Sequence, residues 1–325
     1  MDKEKKVLDV VGHRKLFYCI SIGLIVLFIV LTFVLGLNVD IQFKGGTIIT
    51  YSYKDAISVN DVKQVVSDTL GQSSTVTTGK NTATGQDTVK IQLSSTQGIN
   101  EVKQNELKEA LLAAFPDNEL ELVESSDVNA SNGLDFFLKC IVAVIFAMIV
   151  TIIYIGFRFR KIGGISAGLF SVVALFHDLC MVYGSFVIFR FDINANFMAV
   201  LLTILGYSIN ATIIIYDRIR ENQGLIGSKT ELEDLVNLSI TQTLGRSIHT
   251  TVTTVAAMAT VCVVCALNDV TSILSFALPL IVGMLAGVYS SNCIAPTLWV
   301  MWRRYREKNP SKKKTKTEPV RQGRR

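Results

Sequence analysis

Charged residues are scarce in this chain of 325 residues, because only 18% are Asp, Glu, Lys or Arg while 50% are hydrophobic. A soluble protein of this size carries about 25% charged residues. Proline is also rare, with five in the chain, and the few charges are unevenly placed, which leaves long apolar stretches. These shortages exclude a soluble enzyme with one conventional core, a disordered chain and a secreted disulfide scaffold. They indicate a polytopic membrane protein.

Cysteine is absent from the polar region 37–135, and all six cysteines lie in apolar stretches. A disulfide framework is therefore not expected. Cys262 and Cys265 have the spacing of metal and redox motifs, but no second ligand pair accompanies them. We interpret them as small packing residues in a lipid environment, and we predict no metal and no cofactor.

Six stretches are long and apolar enough to cross a membrane, which takes a helix of about 20 residues. Six spans place both chain ends on one side, together with the loops that carry most of the Lys and Arg, and this side is predicted to be the cytoplasm. The first span exceeds the apolar core of a cleavable signal peptide and is predicted to remain as an anchor. The predicted spans are 16–36, 136–157, 165–189, 194–216, 247–267 and 272–298, with cytoplasmic parts at 1–15, a loop at 217–246 and a basic tail at 299–325.

The polar segment 37–135 is predicted to lie outside the cytoplasm and to alternate strands with helices. Gly46–Tyr53 has the composition of a strand, Ser58 has the position of a helix N-cap, and a later helix stops at Pro116. The order βαββαβ is that of the ferredoxin-like pattern. We therefore predict one extracytoplasmic ferredoxin-like α+β domain. No nucleophile–base pair stands out in it, so we expect a contact domain and not an enzyme.

The charges of the chain do not favour nucleic acid as a partner. Residues 37–139 carry fourteen acidic residues and eight lysines, and this balance does not suit the neutralisation of phosphates. The basic tail could bind RNA or anionic lipid, although a positive tail is ordinary on the cytoplasmic side. The segment 224–230 lacks the GxxxxGK[ST] spacing of a phosphate loop, so we interpret it as part of a loop.

His177 and Asp178 lie at the middle of the third span. An ionisable residue in the hydrocarbon layer is costly and is a functional candidate. One hypothesis is a site that responds to protons or pairs helices, because histidine titrates near neutral pH. The alternative is a satisfied hydrogen-bond node between helices.

The fourth and fifth spans carry the other polar candidates. Asn210 and Asp217 are seven residues apart and share a helix face. Arg246 opens the fifth span and precedes several threonines, which packing between helices explains as well as transport does. Arg246 at the cytoplasmic boundary could also extend its side chain to the interface.

Three motifs resemble those of the SecF family, the smaller membrane subunits of the bacterial SecD–SecF export complex. The six predicted spans and the one outer domain also lie in the positions that this family gives them. The first motif, similar to DF-x-GG-T, includes Asp40, Phe43, Gly45, Gly46 and Thr47. The others are ALFHD at 174–178 and GYSINAT at 206–212, which continues into DRIREN at 217–222 and TQTLGR at 241–246.

This resemblance implies membership of the resistance–nodulation–division superfamily. It also implies a multi-pass protein of the bacterial cytoplasmic membrane that pairs with SecD, associates with the SecYEG channel and contacts membrane lipid. Its expected function is to assist late translocation of unfolded precursor polypeptides with the energy of the proton gradient. The outer domain would contact emerging chains.

One position departs from the family pattern, because Ala211 stands where many members have an aspartate on the proton path. Arg246 matches the arginine of the family, but this carboxylate beside it is missing. Three explanations are open: SecD supplies the acid, Asp178 substitutes for it, or the subunit is passive. The segment 128–133 also lacks the usual glycine–proline element. Alternative functions are half of a small-molecule or lipid exporter and a stabilising subunit without its own proton site.

Overall fold

The computed structural model describes residues 7–72, 74–80, 85–94, 99–128, 130–226, 230–267 and 271–309. Within these ranges, six helical segments are long and apolar enough to cross a membrane, as the sequence predicts. The elements in chain order are α1 (Arg14–Leu35), α2 (Ile41–Lys44), β1 (Gly46–Tyr53), α3 (Val59–Leu70), β2 (Ser74–Lys80), β3 (Asp87–Ser94), α4 (Glu101–Ala114), β4 (Glu121–Val128), α5 (Ala130–Arg158), α6 (Gly164–Phe189), α7 (Ala195–Ile226), α8 (Leu232–Leu267), α9 (Thr271–Tyr289) and α10 (Ala295–Lys308).

The sixth segment is not one regular helix. A π-helical turn, Ser290–Ile294, joins α9 to α10, and the whole segment forms the last candidate span. Segments α6, α7 and α9 form the centre of the bundle. Segments α1, α5 and α8 lie at its periphery, and only 11% of the residues in the apolar stretch of each are buried. Because peripheral apolar helices need lipid or another membrane protein around them, this arrangement fits a bilayer.

The predicted cytoplasmic loop at 217–246 differs from the structure, because α7 continues to Ile226 and α8 begins at Leu232. Hydropathy marks where a span loses its apolar character and not where its helix ends. Arg218 pairs with Glu221 at 2.6 Å and Arg220 with Asp217 at 2.6 Å, each three residues apart, and such pairs support a helix in water. The predicted tail is likewise helical as far as Lys308, and residues 310–325 lie outside the described ranges.

The small domain has the predicted element order βαββαβ, with all strand pairs antiparallel in the order β2-β3-β1-β4. Since β3 is antiparallel to both β1 and β2, these two strands run parallel on either side of it. Ser58 caps α3 by accepting a hydrogen bond from the Asp61 amide at 3.4 Å, as predicted. Apolar residues from the strands, α3 and α4 form a separate core. The ferredoxin-like class of this domain stays a prediction.

Glycines allow the central helices to approach closely. A Cβ on Gly164 would lie 2.4 Å from the carbonyl oxygen of Gly156, which brings α6 against α5. On α9, a Cβ on Gly283 would lie 2.6 Å from the side chain of Ile204 on α7. Small residues at such crossings are typical of membrane helix packing.

We predict that Gly164→Ala destabilises the bundle by about 1–3 kcal/mol, because the added methyl group overpacks a backbone contact. The measurement is the apparent Tm of the purified chain in detergent. Gly245→Ala is the control, because nothing lies within 4 Å of a Cβ at that helical position, and its Tm should be unchanged or higher. Equal Tm values for Gly164→Ala and the unaltered chain would contradict the predicted α5–α6 contact.

Candidate functional site

A buried carboxylate lies at the centre of the bundle. Asp178 is fully buried on α6. Its Oδ2 accepts hydrogen bonds from the hydroxyl of Ser208 on α7 at 2.5 Å and from that of Ser290 in the π-helical turn at 2.8 Å. Its Oδ1 lies 3.1 Å from Nδ1 of His177. One carboxyl group therefore joins three membrane segments.

His177 forms the outer side of this site. The side chain is 5% exposed, and its Nε2 is buried without a hydrogen-bond partner among the described residues. The ring lies beside that of Tyr289 on α9, with centroids 5.7 Å apart. Both rings line a groove of about 250 Å³ that α1 also borders. His177 thus borders a gap in the packing between α1 and α9.

The π-helical turn adds a second pair of hydroxyls to the site. Ser291 and Thr212 are hydrogen-bonded through their hydroxyls at 2.8 Å, and the Ser291 hydroxyl also donates to the carbonyl oxygen of Ser208 at 3.2 Å. A π-turn inserts extra backbone into a helix and is frequent at functional sites. Here it places consecutive serines, Ser290 and Ser291, against α6 and α7. Sequence reasoning missed both serines, although the polar run Ser290–Asn292 inside an apolar span was a signal.

The remaining predicted proton-path residues do not join this site. Asn210 is exposed on α7, Ala211 is half-buried, and Arg246 is exposed on α8. Within the described ranges, no carboxylate forms an ion pair with Arg246. Farther along α8, Thr250, Thr253 and Thr254 are also exposed. Their hydroxyls donate to backbone carbonyls three or four residues back. Polar residues are therefore exposed on α7 and α8 alongside apolar ones such as Ile248 and Val252.

Asp217 pairs with two arginines and not with Asn210. Its Oδ1 accepts from Arg158 at 3.1 Å and pairs with Arg220 at 2.6 Å, at the end of the bundle away from the small domain. The DRIREN and TQTLGR stretches of the third motif meet nearby. Gln242 on α8 accepts hydrogen bonds from Arg218 at 2.6 Å and from Asn222 at 2.8 Å. This motif thus ties the ends of α7 and α8 together.

The first motif joins the membrane bundle to the small domain. Phe43 on α2 is buried against Phe136 and Phe137 of α5, with ring centroids 6.0 and 5.7 Å away. Gly45 and Gly46 follow with φ of +79° and +150°, values that favour glycine. Thr47 is the second residue of β1, and its hydroxyl donates to Asp127 on β4 at 2.5 Å and accepts from the Ile99 amide at 3.0 Å. The motif is a short, firmly held connector.

Asp40 begins the connector beside the loop between α6 and α7. Its amide donates to the Ile193 carbonyl at 3.1 Å, and Val39 and Ile193 form a parallel bridge. Burial raises the pKa of Asp192 in this loop, and repulsion from Asp40 raises it further, while Lys44, Lys90 and Arg190 oppose the rise. A raised pKa means that the folded state disfavours the charged carboxylate.

We predict that Asp192→Asn raises the apparent Tm at pH 7. The stability linked to Asp192 is present in full below the ordinary aspartate pKa and is lost as pH rises through the raised value. The gain should therefore shrink towards pH 3.5, where Asp192 is protonated. Asp68→Asn on the exposed surface of α3 is the control and should leave the Tm unchanged. A Tm gain for Asp192→Asn that did not depend on pH would contradict this assignment.

The chemistry available to the central site is proton exchange and helix pairing. Among the residues that the structure describes, no group of three or more His, Cys, Asp or Glu side chains is arranged to hold a metal. The His177–Asp178 pair, the adjoining hydroxyls and the π-turn define a polytopic membrane protein with an ionisable centre and one small extramembrane α+β domain.

Comparisons with known proteins identify the family within this class. The family model described as protein export membrane protein SecD/SecF, C-terminal, matches residues 107–305. The chain belongs to the SecD/SecF family of protein-export membrane proteins. It is 32% identical over 311 residues to a protein translocase subunit SecF of Thermobaculum terrenum, covering 91% of this chain and 94% of that one. It is 33% identical over 291 residues to the SecF subunit of Rhodothermus marinus, covering 88% and 90%.

Solved structures agree with this assignment. A crystal structure of SecDF, a translocon-associated membrane protein from Thermus thermophilus, matches with a TM-score of 0.74 and 26% identity over 94% of this chain. A second, of SecDF in a super-membrane-facing form, matches with a TM-score of 0.65 and 25% identity over 95%. This chain spans 40% of the length of each SecDF chain.

Proposed function

We propose that this chain is the SecF-type accessory subunit of a bacterial Sec export complex. It works with SecD and the SecYEG channel in the cytoplasmic membrane and assists late translocation of unfolded polypeptides with the energy of the proton gradient. The observation that carries the proposal is the outward Arg246. It stands on a membrane helix of a SecD/SecF family member, and no carboxylate pairs with it in the described part of the chain.

Lipid is a poor environment for this surface. A charged side chain within a membrane span is costly and usually faces a partner or a water-filled cavity. Arg246 and Asn210 both face out of the bundle, and Ala211 beside Asn210 offers no acid. A second membrane protein that presents a carboxylate to α7 and α8 would satisfy both residues. SecD is the partner that the family relationship supports.

The proton-linked step then depends on a charge pair between subunits. An arginine next to an ionised acid holds the two helices together, and protonation of the acid weakens the attraction. The resulting movement of α8 against α7 would pass to α6 and α9. The connector at Asp40–Thr47 would carry it to the small domain. In this proposal the domain lies outside the cytoplasm and both chain ends lie inside.

The small domain offers an edge suited to extended polypeptides. β4 lies at one edge of the sheet, and its Leu122 and Val123 are each about half exposed. An open strand edge can pair with an extended chain through its backbone, with side chains adding contacts. This supports contact with emerging precursors.

A second candidate keeps the proton chemistry within this chain. Asp178 and His177 form a buried ionisable pair, and His177, whose Nε2 has no hydrogen-bond partner among the described residues, lines a gap between α1, α6 and α9. In that case Asp178 substitutes for the acid that Ala211 lacks. The two candidates differ in which residue controls export, and variants of each distinguish them.

We predict that depletion of this chain slows clearance of a secreted precursor in pulse-chase experiments, most strongly in the cold and when the proton gradient is reduced. Expression of the unaltered chain should restore the rate. Unchanged clearance under both conditions would contradict a role in export.

We predict that Arg246→Ala weakens association with SecD by about 30-fold or more, because loss of one partner of a buried charge pair costs about 2 kcal/mol or more. Arg246→Lys keeps the charge and should retain part of the affinity. Association is measured between labelled subunits in liposomes, and export is measured in the same strains. Normal association and export with Arg246→Ala would rule out the intersubunit pair.

Asp178→Asn tests the second candidate. It keeps a hydrogen-bond acceptor for Ser208 and Ser290 but cannot ionise. If the charge pair with SecD controls the proton response, Asp178→Asn should leave the dependence of export on the proton gradient intact. Loss of that dependence, with an unchanged Tm and unchanged SecD association, would move the proton site to Asp178.

A further inference from the structure

A wide groove lies at the end of the bundle opposite the small domain. It runs between the last turns of α5, the first turns of α6 and the last turns of α10, with a volume of about 870 Å³. Ligand sites in proteins commonly enclose about 300–1,000 Å³. Three apolar side chains line it and are more than half exposed: Phe157, Ile165 and Leu169. The groove is therefore open to the hydrocarbon around the bundle.

Three arginines border this groove without a carboxylate partner in the described ranges: Arg160, Arg303 and Arg306. The one acidic residue among the described lining residues is Glu307. The lining thus carries an excess of positive charge. A neighbouring arginine, in contrast, is paired with carboxylates. Arg304, next to Arg303 on α10, pairs with Glu231 at 3.0 Å and with Glu233 at 2.7 Å.

The guanidinium groups are held by the protein but keep free donors. Arg303 lies over the ring of Trp299, 5.7 Å from its centroid, and its Nε is buried without a hydrogen-bond partner among the described residues. Arg160 lies over Phe157 at 4.7 Å. A buried donor without an acceptor is uncommon in folded proteins, and arginine binds phosphate as it binds carboxylate, often through two parallel hydrogen bonds.

We propose that this groove binds the headgroup phosphate of an anionic phospholipid. Arg160, Arg303 and Arg306 hold the phosphate, and the acyl chains lie along Phe157, Ile165 and Leu169. Trp302 lines the same groove and is 41% exposed, as expected of a tryptophan at headgroup level. The apolar walls distinguish this site from one for free phosphate, which has no hydrocarbon to bury. The excess positive charge distinguishes anionic from zwitterionic lipid.

The site would fasten three helices at one level of the membrane. The α5–α6 turn and α10 are distant in sequence but share the same arginine-lined groove. A bound lipid would bridge them through one phosphate. This inference does not depend on the proposed export function, because it follows from charge and shape at the opposite end of the bundle from the small domain.

Native mass spectrometry of the delipidated full chain in detergent tests the proposal, with phosphatidylglycerol and phosphatidylcholine of identical acyl chains as probes. We expect tighter retention of phosphatidylglycerol by the unaltered chain. Arg160→Gln and Arg306→Gln lie on exposed side chains and should each weaken it about fivefold, in line with the contribution of one basic residue near an anionic lipid surface. The double variant should lose the preference for anionic lipid.

Arg304→Gln is the matched control, since it removes the same charge from the same helix but from a side chain that is paired with Glu231 and Glu233. Its lipid retention should equal that of the unaltered chain. Equal retention of the two lipids, or an equal loss in Arg304→Gln and Arg306→Gln, would overturn the proposal. Displacement of phosphatidylglycerol by an equal concentration of inorganic phosphate would identify a free-anion site and would also overturn it.

Discussion

The structure depends on how one carboxylate is accommodated where water is absent. An unpaired charge in the hydrocarbon layer is strongly disfavoured, so a buried acid must collect hydrogen bonds from whatever surrounds it. Asp178 collects them from α6, from α7 and from the π-helical turn. The π-helical turn carries Ser290, which donates to Asp178, and Ser291, which is hydrogen-bonded to Thr212 and Ser208 on α7. The irregular turn is therefore part of how this carboxylate is accommodated.

The same constraint explains the asymmetry of the bundle. Polar groups that find partners within the chain lie between α6, α7 and α9, whereas Asn210 and Arg246 face outwards. The two sets differ in where their hydrogen-bond and charge partners lie. In the inner set, Asp178, Ser208, Ser290, Ser291 and Thr212 are hydrogen-bonded to one another, whereas Nε2 of His177 and Oδ1 of Asn292 are buried without a partner among the described residues. The outer set is open, which is the arrangement expected of a surface that another membrane subunit covers.

The sequence predicted the six candidate spans, the element order of the small domain and the Ser58 cap, because each rests on local periodicity or on one local hydrogen bond. It also proposed His177 and Asp178 as candidates, since charge within an apolar run is conspicuous, and their functional role stays a prediction. It did not predict Ser290 or Ser291. Serine is common in membrane helices, and its role here comes from contact with a residue 112 positions away. The helical ends of α7 and α8 were missed because hydropathy reports solvent preference and not backbone conformation.

The connector between bundle and domain shows how local rules and distant contacts combine. Glycine at positions 45 and 46 follows from their backbone angles, but the role of Phe43 follows from the ring pair on α5 and that of Asp40 from the loop before α7. These contacts anchor one end of the small domain to α5 and to the α6–α7 loop at once. A shift of α6 relative to α5 would therefore change the support of β1 directly, without a flexible linker to absorb it.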